Sequence, residues 1–341
     1  LIVFPSGYNM RRKKFFQNIG TVMKFGFLAT LVCFAIYSGL FFAASELGLL
    51  TRPHPEAGGR VERLDIGPYE ILSICSLLCS SDVIAAISMV DFGKSPKLFS
   101  IIYGEGVFND IVSIILFGVV QNQFPADGSA APSLTWSSPG TIITDFFVLA
   151  LKSLGLGMFF GFLSAVLFKK FRLLTHSPIS ETLIIQTIGF IAYFTSEAGE
   201  LSGIISLLTC GVIMAHYTWY NLSPQGKTIS SVSYSIFGSI AESLVFIYIG
   251  LSVFSYFGKK DEDGYHGPAN DYEFPWSWST IGYMTLIVIV GRCLAVWIVH
   301  FAFRMCSKKR DIDCRELLFI TWGGMIRGAI AFGLVLQIPD G

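Results

Sequence analysis

The chain has 341 residues, of which 52% are hydrophobic, 15% aromatic and 14% charged, and its formal net charge is zero. Soluble domains carry about 25% charged residues, so a mean hydropathy of +0.61 places this chain in a bilayer. The neutral balance, with basic residues in short scattered clusters, excludes a nucleic-acid partner or any other polyanion.

The first residues, LIVFP, read as the tail of an apolar segment, so the chain is expected to be a fragment trimmed at both ends. Apolar stretches of about the 20 residues needed to span a membrane then recur at 20–44, 68–92, 98–121, 141–168, 181–199, 201–217, 231–257, 279–303 and 315–338. The expected fold class is an all-α polytopic membrane protein with about nine spans. Cytoplasmic loops hold the excess of lysine and arginine, which tests that count. With residues 9–18 inside (Arg11, Arg12, Lys13, Lys14), the alternate loops are basic: Lys94 and Lys97; Lys169, Lys170 and Arg172; Lys227; Arg304, Lys308, Lys309, Arg310 and Arg315. The opposite loops are poor in basic residues, and 258–278 is acidic and aromatic; only Arg52, Arg60 and Arg63 run against the trend.

The second stretch contains LLCSSDVIAA, which places Asp82 within an apolar span. Ser80 and Ser81 beside it are small and hydroxylated, and such residues support a helix break in which freed backbone groups line a cavity. A second Gly-rich break is expected at TWGGMIRGA, 321–329.

The third stretch, IYGEGVFND within 98–121, carries Glu105, Asn109 and Asp110 near its middle. Its apolar residues favour insertion by roughly 4–8 kcal/mol, while two mid-span carboxylates oppose it by roughly 5–7 kcal/mol. The two nearly cancel, so the polar residues must face the bundle interior. At about 100° per residue, Glu105 and Asn109 share a stripe while Asp110 is turned about 140° from Glu105, so the two acids have different tasks. Glu105 needs a cation, and the arginines deep in other spans are Arg292 and Arg327; Asp110 is left for a solute. Asp82, Asp110, Ser81 and Asn109 together supply the oxygen ligands a hard alkali cation prefers.

Later spans add weaker candidates. Glu197, in SEAGELSG, lies near a helix end at the outer face, and Glu242, in AESLVFIYIGLS, reads as a buried structural or gating carboxylate. Asn221-Leu222-Ser223 matches a glycosylation pattern but faces the cytoplasm and precedes Pro224, so it is read as chance. Cys33, Cys75, Cys79, Cys210 and Cys293 lie in apolar runs without paired C-x-x-C spacing and are read as reduced packing residues.

The block SSDVIAAISMV followed by PKLFSIIYGEGVFNDIVSIILF resembles the sodium/proton exchanger family of monovalent cation/proton antiporters, in its eukaryotic branch. FPSGYNMRRKKFFQNIGT, SEAGELSGIISLLTCGVIMAHYT, ESLVFIYIGLS and GGMIRGAIAFGL follow the same pattern, so the resemblance covers essentially the whole chain. It implies an inverted-repeat cation/proton antiporter fold with two crossed interrupted helices, the spans holding Asp82 and Arg327. A mobile core of helices near 68–121, 201–257 and 315–338 would work against a dimerisation domain. By the same comparison, one or more opening helices, the last span or spans and a regulatory cytosolic tail lie outside this chain. Matched to the family's motifs, Asp110 is the proton and cation carrier, and Asn109 is the partner that marks electroneutral members. Asp82 is the acid of the first broken helix, Glu105 and Arg292 form an intramembrane ion pair, and Arg327 supports the second crossing helix. The chain departs from the pattern at Val83, where many members have Pro, and at Gly106, where many have Ser.

The function this implies is electroneutral exchange of Na+ for H+, with the sodium ion at Asp110 and Asp82. It needs no cofactor and no enzymatic step, and no Walker motif is present. Exchange of this kind regulates cytosolic or organellar pH and sodium. The alternatives are a K+/H+ exchanger, which the same acids could serve, and an ion-binding sensor that does not transport; a cation channel would want a filter-like carbonyl repeat, which the sequence lacks. The expected partners are Na+ or K+, H+, the lipid bilayer, a second copy in a homodimer and regulatory proteins on the tail. The expected setting is a plasma, endosomal or vacuolar membrane.

Overall fold

A computed structural model describes residues 3–8, 15, 17–53, 61–63, 66–90, 93, 95–123, 138–171, 177–257, 278–306 and 313–336. Much of the basic 9–18 segment and the acidic 258–277 loop lie outside the described residues. Each of the nine apolar stretches carries helix. In chain order the elements are α1 (Val3–Tyr8), α2 (Ile19–Glu46), β1 (Thr51–Pro53), β2 (Val61–Arg63), α3 (Pro68–Leu77), α4 (Val83–Ser88), α5 (Pro96–Gln121) and α6 (Ser138–Lys170). They continue with α7 (Pro178–Ala198), α8 (Gly203–His216), α9 (Pro224–Phe257), α10 (Trp278–Cys306), α11 (Cys314–Gly323) and α12 (Ala329–Val335). Among the described residues five helices are long and apolar enough to cross a membrane by themselves, within α2, α5, α6, α9 and α10. The protein is an integral membrane protein.

Water-free surroundings give helices no hydrophobic drive to associate, so close packing and polar contacts decide which faces meet. On α6, Ser153, Gly157 and Gly161 form a small-residue stripe one turn apart, and α8 lies in it. A Cβ at Gly157 would sit 2.5 Å from the Ser206 carbonyl, and one at Gly161 would sit 2.6 Å from Ile213. Hydroxyls finish the seam: Ser206 Oγ donates to the Ser153 carbonyl at 2.8 Å, and the Ser202 amide donates to Ser153 Oγ at 3.1 Å. Asn221, in the sequence pattern read as chance, donates its amide to the Ala165 carbonyl at 3.3 Å. That residue ties the next turn to α6.

The apolar side chains fall into two groups. One joins α1, α6, α7, α8 and α9 around Phe4, Tyr8, Phe168, Ile185, Met214 and Tyr234. The other joins α2 with α3 and α10 around Cys33, Tyr37, Phe41, Ile71 and Ala295, and continues through Phe25, Ile101, Val296 and Ile320 into α4, α5 and α11. Of residues 201–257, which the sequence reading groups with the Asp82 and Arg327 spans, Leu207 to Tyr234 contribute to the first group, while Tyr248 of α9 packs edge-on against Phe332 of α12. A third cluster bridges the two, with Ile205 of α8 against Val112 and Ile115 of α5.

One exception to the charge rule has a local cause. Arg63, on β2 of a two-stranded antiparallel ribbon in which Thr51 pairs with Arg63, donates to the Glu46 carbonyl at 2.5 Å and reaches the Ser45 carbonyl at 3.4 Å. A guanidinium there satisfies the last carbonyls of α2 and opposes the negative end of its dipole.

Both expected breaks are present. The helix of α3 stops at Leu77 and resumes at Val83, and that of α11 stops at Gly323 and resumes at Ala329. In the first, a Cys-Ser-Ser-Asp sequence offers hydroxyls and a carboxylate that compete for backbone groups; Asp82 Oδ1 accepts the Ala85 amide at 3.2 Å and so caps α4. In the second, Gly324 ends the helix and Gly328 is extended. The breaks cross in contact, because the Asp82 amide donates to the Ile326 carbonyl at 2.7 Å. Gly328 allows this approach: a Cβ there would lie 3.2 Å from the Asp82 side chain.

Candidate functional site

Where the breaks cross, backbone polar groups have lost their helical partners, and in a membrane each must find another. Arg327 supplies part of the answer. Its Nη1 donates to the Ser80 carbonyl in the first break, and its Nη2 donates to Tyr37 Oη of α2 at 3.3 Å. Tyr37 in turn donates to the Val288 carbonyl of α10 at 3.1 Å, and its ring fits against Gly291, where a Cβ would come within 2.5 Å. The crossing is thereby fastened to α2 and α10.

α5 runs beside the crossing and presents its three polar residues in three directions. Glu105 faces α10, where Arg292 Nη2 donates to Glu105 Oε1 at 2.5 Å and both side chains are buried. Asn109 faces the break and α2: its Nδ2 donates to Ser81 Oγ at 2.8 Å, while Thr30 Oγ1, which also reaches the Gly26 carbonyl, lies 3.0 Å from Asn109 Oδ1. Asp110 receives a 2.5 Å hydrogen bond from Ser80 Oγ. Asp82 lies in the same break and interacts electrostatically with Asp110; each is 8% exposed.

Asp110 differs from the other two because it borders open space. It lines a cavity with Val3 and Ser6 of α1, Ile204 and Ile205 of α8, and Ile330 of α12. The space open to the centre of a water molecule is ≈ 20 Å³, enough for about one water. The cavity therefore lies between the two packing groups, with the carboxylate on one side and α1 and α8 on the other.

The helix α2 is adapted to this position. Residues Met23–Leu28 form a π-helical turn, a feature often found at functional sites. Here it brings Gly26 against α5, so that a Cβ would be 3.0 Å from the Glu105 carbonyl. Gly324 plays a like part for Arg292: an added Cβ would fall 1.9 Å from Nη2 and 2.4 Å from Cζ. The guanidinium is buried and ion-paired, so it cannot swing aside freely. Gly324→Ala is expected to destabilise the protein by about 1–3 kcal/mol, the usual range for overpacking, as a lowered unfolding midpoint in detergent.

The comparisons with known proteins decide the lineage. All of residues 1–341 match the family model described as sodium/hydrogen exchanger, transmembrane. The chain belongs to the sodium/hydrogen exchanger family. It is 28% identical over 338 residues to a protein of Oryza sativa subsp. japonica named sodium/hydrogen exchanger 1, covering 98% of this chain and 58% of that one. It is 26% identical over 339 residues to human sodium/hydrogen exchanger 9, covering 98% of this chain and 48% of that one. Among solved structures, the sodium proton antiporter MjNhaP1 from Methanocaldococcus jannaschii at pH 8 aligns with a TM-score of 0.64 at 15% identity, over 99% of this chain and 70% of that chain. The fold is that antiporter fold, and the chain spans about three fifths of the length of the rice relative.

Set against the sequence reading of this exchanger-family chain, Asp110, Asn109, Asp82, Ser81, Glu105, Arg292 and Arg327 all meet at or beside the crossing. Ser80, which the sequence reading did not include among the ligands, donates its hydroxyl to Asp110, and Ser81 Oγ accepts from Asn109 Nδ2. The two remaining acids are placed differently. Glu197 Oε1 accepts the Gly203 amide at 3.0 Å and holds the start of α8. Glu242 is half-buried on α9, outside the lining of the cavity, and interacts electrostatically with Asp82. Thr30 and Tyr37 were missed; the signal for each is a hydroxyl within the largely apolar ATLVCFAIYSGLFF. Gly106 is buried inside α5, and the Val83 side chain lies outside what is described.

Proposed function

We propose that this chain is the membrane unit of a secondary antiporter that exchanges one Na+ for one H+, with Asp110 holding one or the other. The observation that carries this reading is the placement of Asp110: a carboxylate held by Ser80, facing a water-sized cavity between two packing groups. An isolated buried carboxylate is too costly to leave uncompensated, so it must hold a proton or a hard cation. Competition for the one group couples the two fluxes. Asn109 is neutral and is occupied by Ser81 and Thr30, so the loaded site carries the same charge with either passenger.

Ser80 Oγ and Asp82, next to Asp110 in the break, supply further oxygen donors of the type that suits an alkali cation. Sodium is the reading taken over potassium because the rice and human relatives are named as sodium/hydrogen exchangers. Access would alternate by rocking of the group that contains the crossing (α2–α5 with α10–α12) against the group of α1 and α6–α9, the cavity lying at their boundary. We place the ends that carry the basic clusters in the cytoplasm and take the working unit to be a homodimer.

The test uses the protein in sealed liposomes with an acid interior and a trapped pH dye. External sodium should raise the internal pH at the same rate at every clamped voltage; no response to sodium would reject the reading. Asn109→Asp adds a charge to the site, so its exchange should become voltage-dependent, seen as rates that change between clamped potentials.

A further inference from the structure

The exchange mechanism uses the cavity beside Asp110, and the contacts that close this cavity at one end are of a distinct kind. Three helices leave the cavity toward that end. On α5, Val107 lines it and Tyr103 lies one turn further toward the N-terminus; on α8, Leu208 lines it and Val212 lies one turn beyond; on α1, the lining ends at Ser6, close to the end of that helix. Past the lining, Tyr103, Phe108 and Val212 pack in one cluster with Phe15, and the rings of Phe15 and Phe108 stack with centroids 6.2 Å apart. This plug spans the boundary between the two packing groups, because Val212 belongs to α8 whereas Tyr103 and Phe108 belong to α5.

A polar contact crosses the same boundary: Tyr103 Oη donates to the Ser6 carbonyl. Ser6 is among the last residues of α1, where carbonyls have no partner inside the helix, and within a membrane such a group must be satisfied elsewhere. The crossing group, through α5, thus supplies what α1 of the other group lacks. Ser6 also lines the cavity, so the bond and the cavity share a wall. In the opposite direction along α5, past Ile114, the groups meet through an apolar cluster that holds Phe117 of α5 and Ile205 of α8. Apolar contact is non-directional and survives sliding, whereas a hydrogen bond weakens steeply once its geometry is lost. Movement of α1 against α5 therefore has a discrete contact to break at the plug.

We propose that the Tyr103–Ser6 hydrogen bond is a latch: while it holds, the plug seals the Asp110 cavity from the membrane face at that end, and it breaks each time the cavity opens there. Tyr103 holds no ion and acts through α1, as a positioning residue. The latch builds on the proposed alternation of access, but it is read by access to the cavity and not by exchange.

Val107→Cys places a thiol in the cavity wall, where a charged, membrane-impermeant methanethiosulfonate reagent reports opening. Exposed Cys314 marks the relevant face, because it begins α11, and Leu317 of α11 packs in one cluster with Ile101 near the start of α5, the end at which Tyr103 lies. Vesicles of both orientations would be treated, and peptide mass mapping would read the two cysteines separately. From the face where Cys314 reacts, Val107→Cys should label slowly. Adding Tyr103→Phe, which keeps the ring and removes the donor, should speed that labelling about fivefold, the effect of one neutral hydrogen bond on an equilibrium; from the opposite face the rate should not rise. An unchanged rate from the Cys314 face would overturn the latch. So would an equal rise from both faces, which marks general loosening, or a Val107→Cys thiol that already reacts as fast as Cys314. That last comparison decides whether the plug seals even if the double variant does not fold. Labelling needs no ion gradient, so a chain that labels as expected but shows no sodium-driven exchange supports the latch and contradicts only the antiport reading.

Discussion

Replacing Asp110 with Asn is expected to reduce sodium-driven proton exchange to the level of empty liposomes while leaving the protein folded. The substitution keeps the shape of the side chain and leaves an oxygen for the Ser80 hydroxyl at the position of the 2.5 Å contact. A hydrogen bond to a neutral acceptor is weaker than one to a charged acceptor by about 1 kcal/mol, so the unfolding midpoint should move little. An amide, however, neither releases a proton at neutral pH nor carries the charge that attracts sodium. Asp82 does not replace it, because Asp82 already caps α4 through the Ala85 amide and hands its own amide to Ile326. A folded Asp110→Asn variant that exchanges at the wild-type rate would place the carrier elsewhere.

The largest effect on stability is expected at Glu105. Removing one member of a buried ion pair leaves an uncompensated charge and costs about 3–5 kcal/mol, so Glu105→Gln should strongly lower the unfolding midpoint. The same holds for Arg292→Met. The pair itself is not optimised for stability: Arg292 Nε and Nη1 are buried without hydrogen-bond partners, and each such group costs about 1–3 kcal/mol. Glu105→Leu combined with Arg292→Met should therefore recover most of the loss, and denaturation of the two single variants and the double variant gives the coupling. If the double variant were as unstable as the sum of the singles, the two residues would not be acting as a pair.

The extent to which these features were legible in the sequence follows from what period and composition can show. SSD in one apolar span and GGMIRG in another locate both breaks, because small residues and hydroxyls are the means by which a bilayer-spanning helix can open. The 100° rotation per residue separates Glu105 from Asp110, and α5 indeed turns the first toward Arg292 and the second toward the cavity. That rotation cannot say which serine of a non-helical segment reaches which acid, so Ser80 Oγ as the donor to Asp110 is visible only in the fold.

Charge counting also has a limit at Arg63, which is retained on the poorly basic side as a cap for α2. Helix α8 shows a different limit. Its apolar faces are equally suited to any small-residue stripe, and the choice of Ser153, Gly157 and Gly161 on α6 rests on close approach between distant helices. Contacts such as Tyr37 with Arg327 depend on the same tertiary placement.

The central claim is one-for-one exchange through a single carboxylate, and the most direct measurement is the gradient at which net flux stops. Liposomes containing the protein would be set at a series of opposing sodium and proton gradients and clamped at several voltages. Flux should vanish when the sodium ratio equals the proton ratio, at every voltage. A balance point that moves with voltage would mean that net charge crosses in each cycle and would contradict the assignment of Asp110, beside a neutral Asn109, as the shared site.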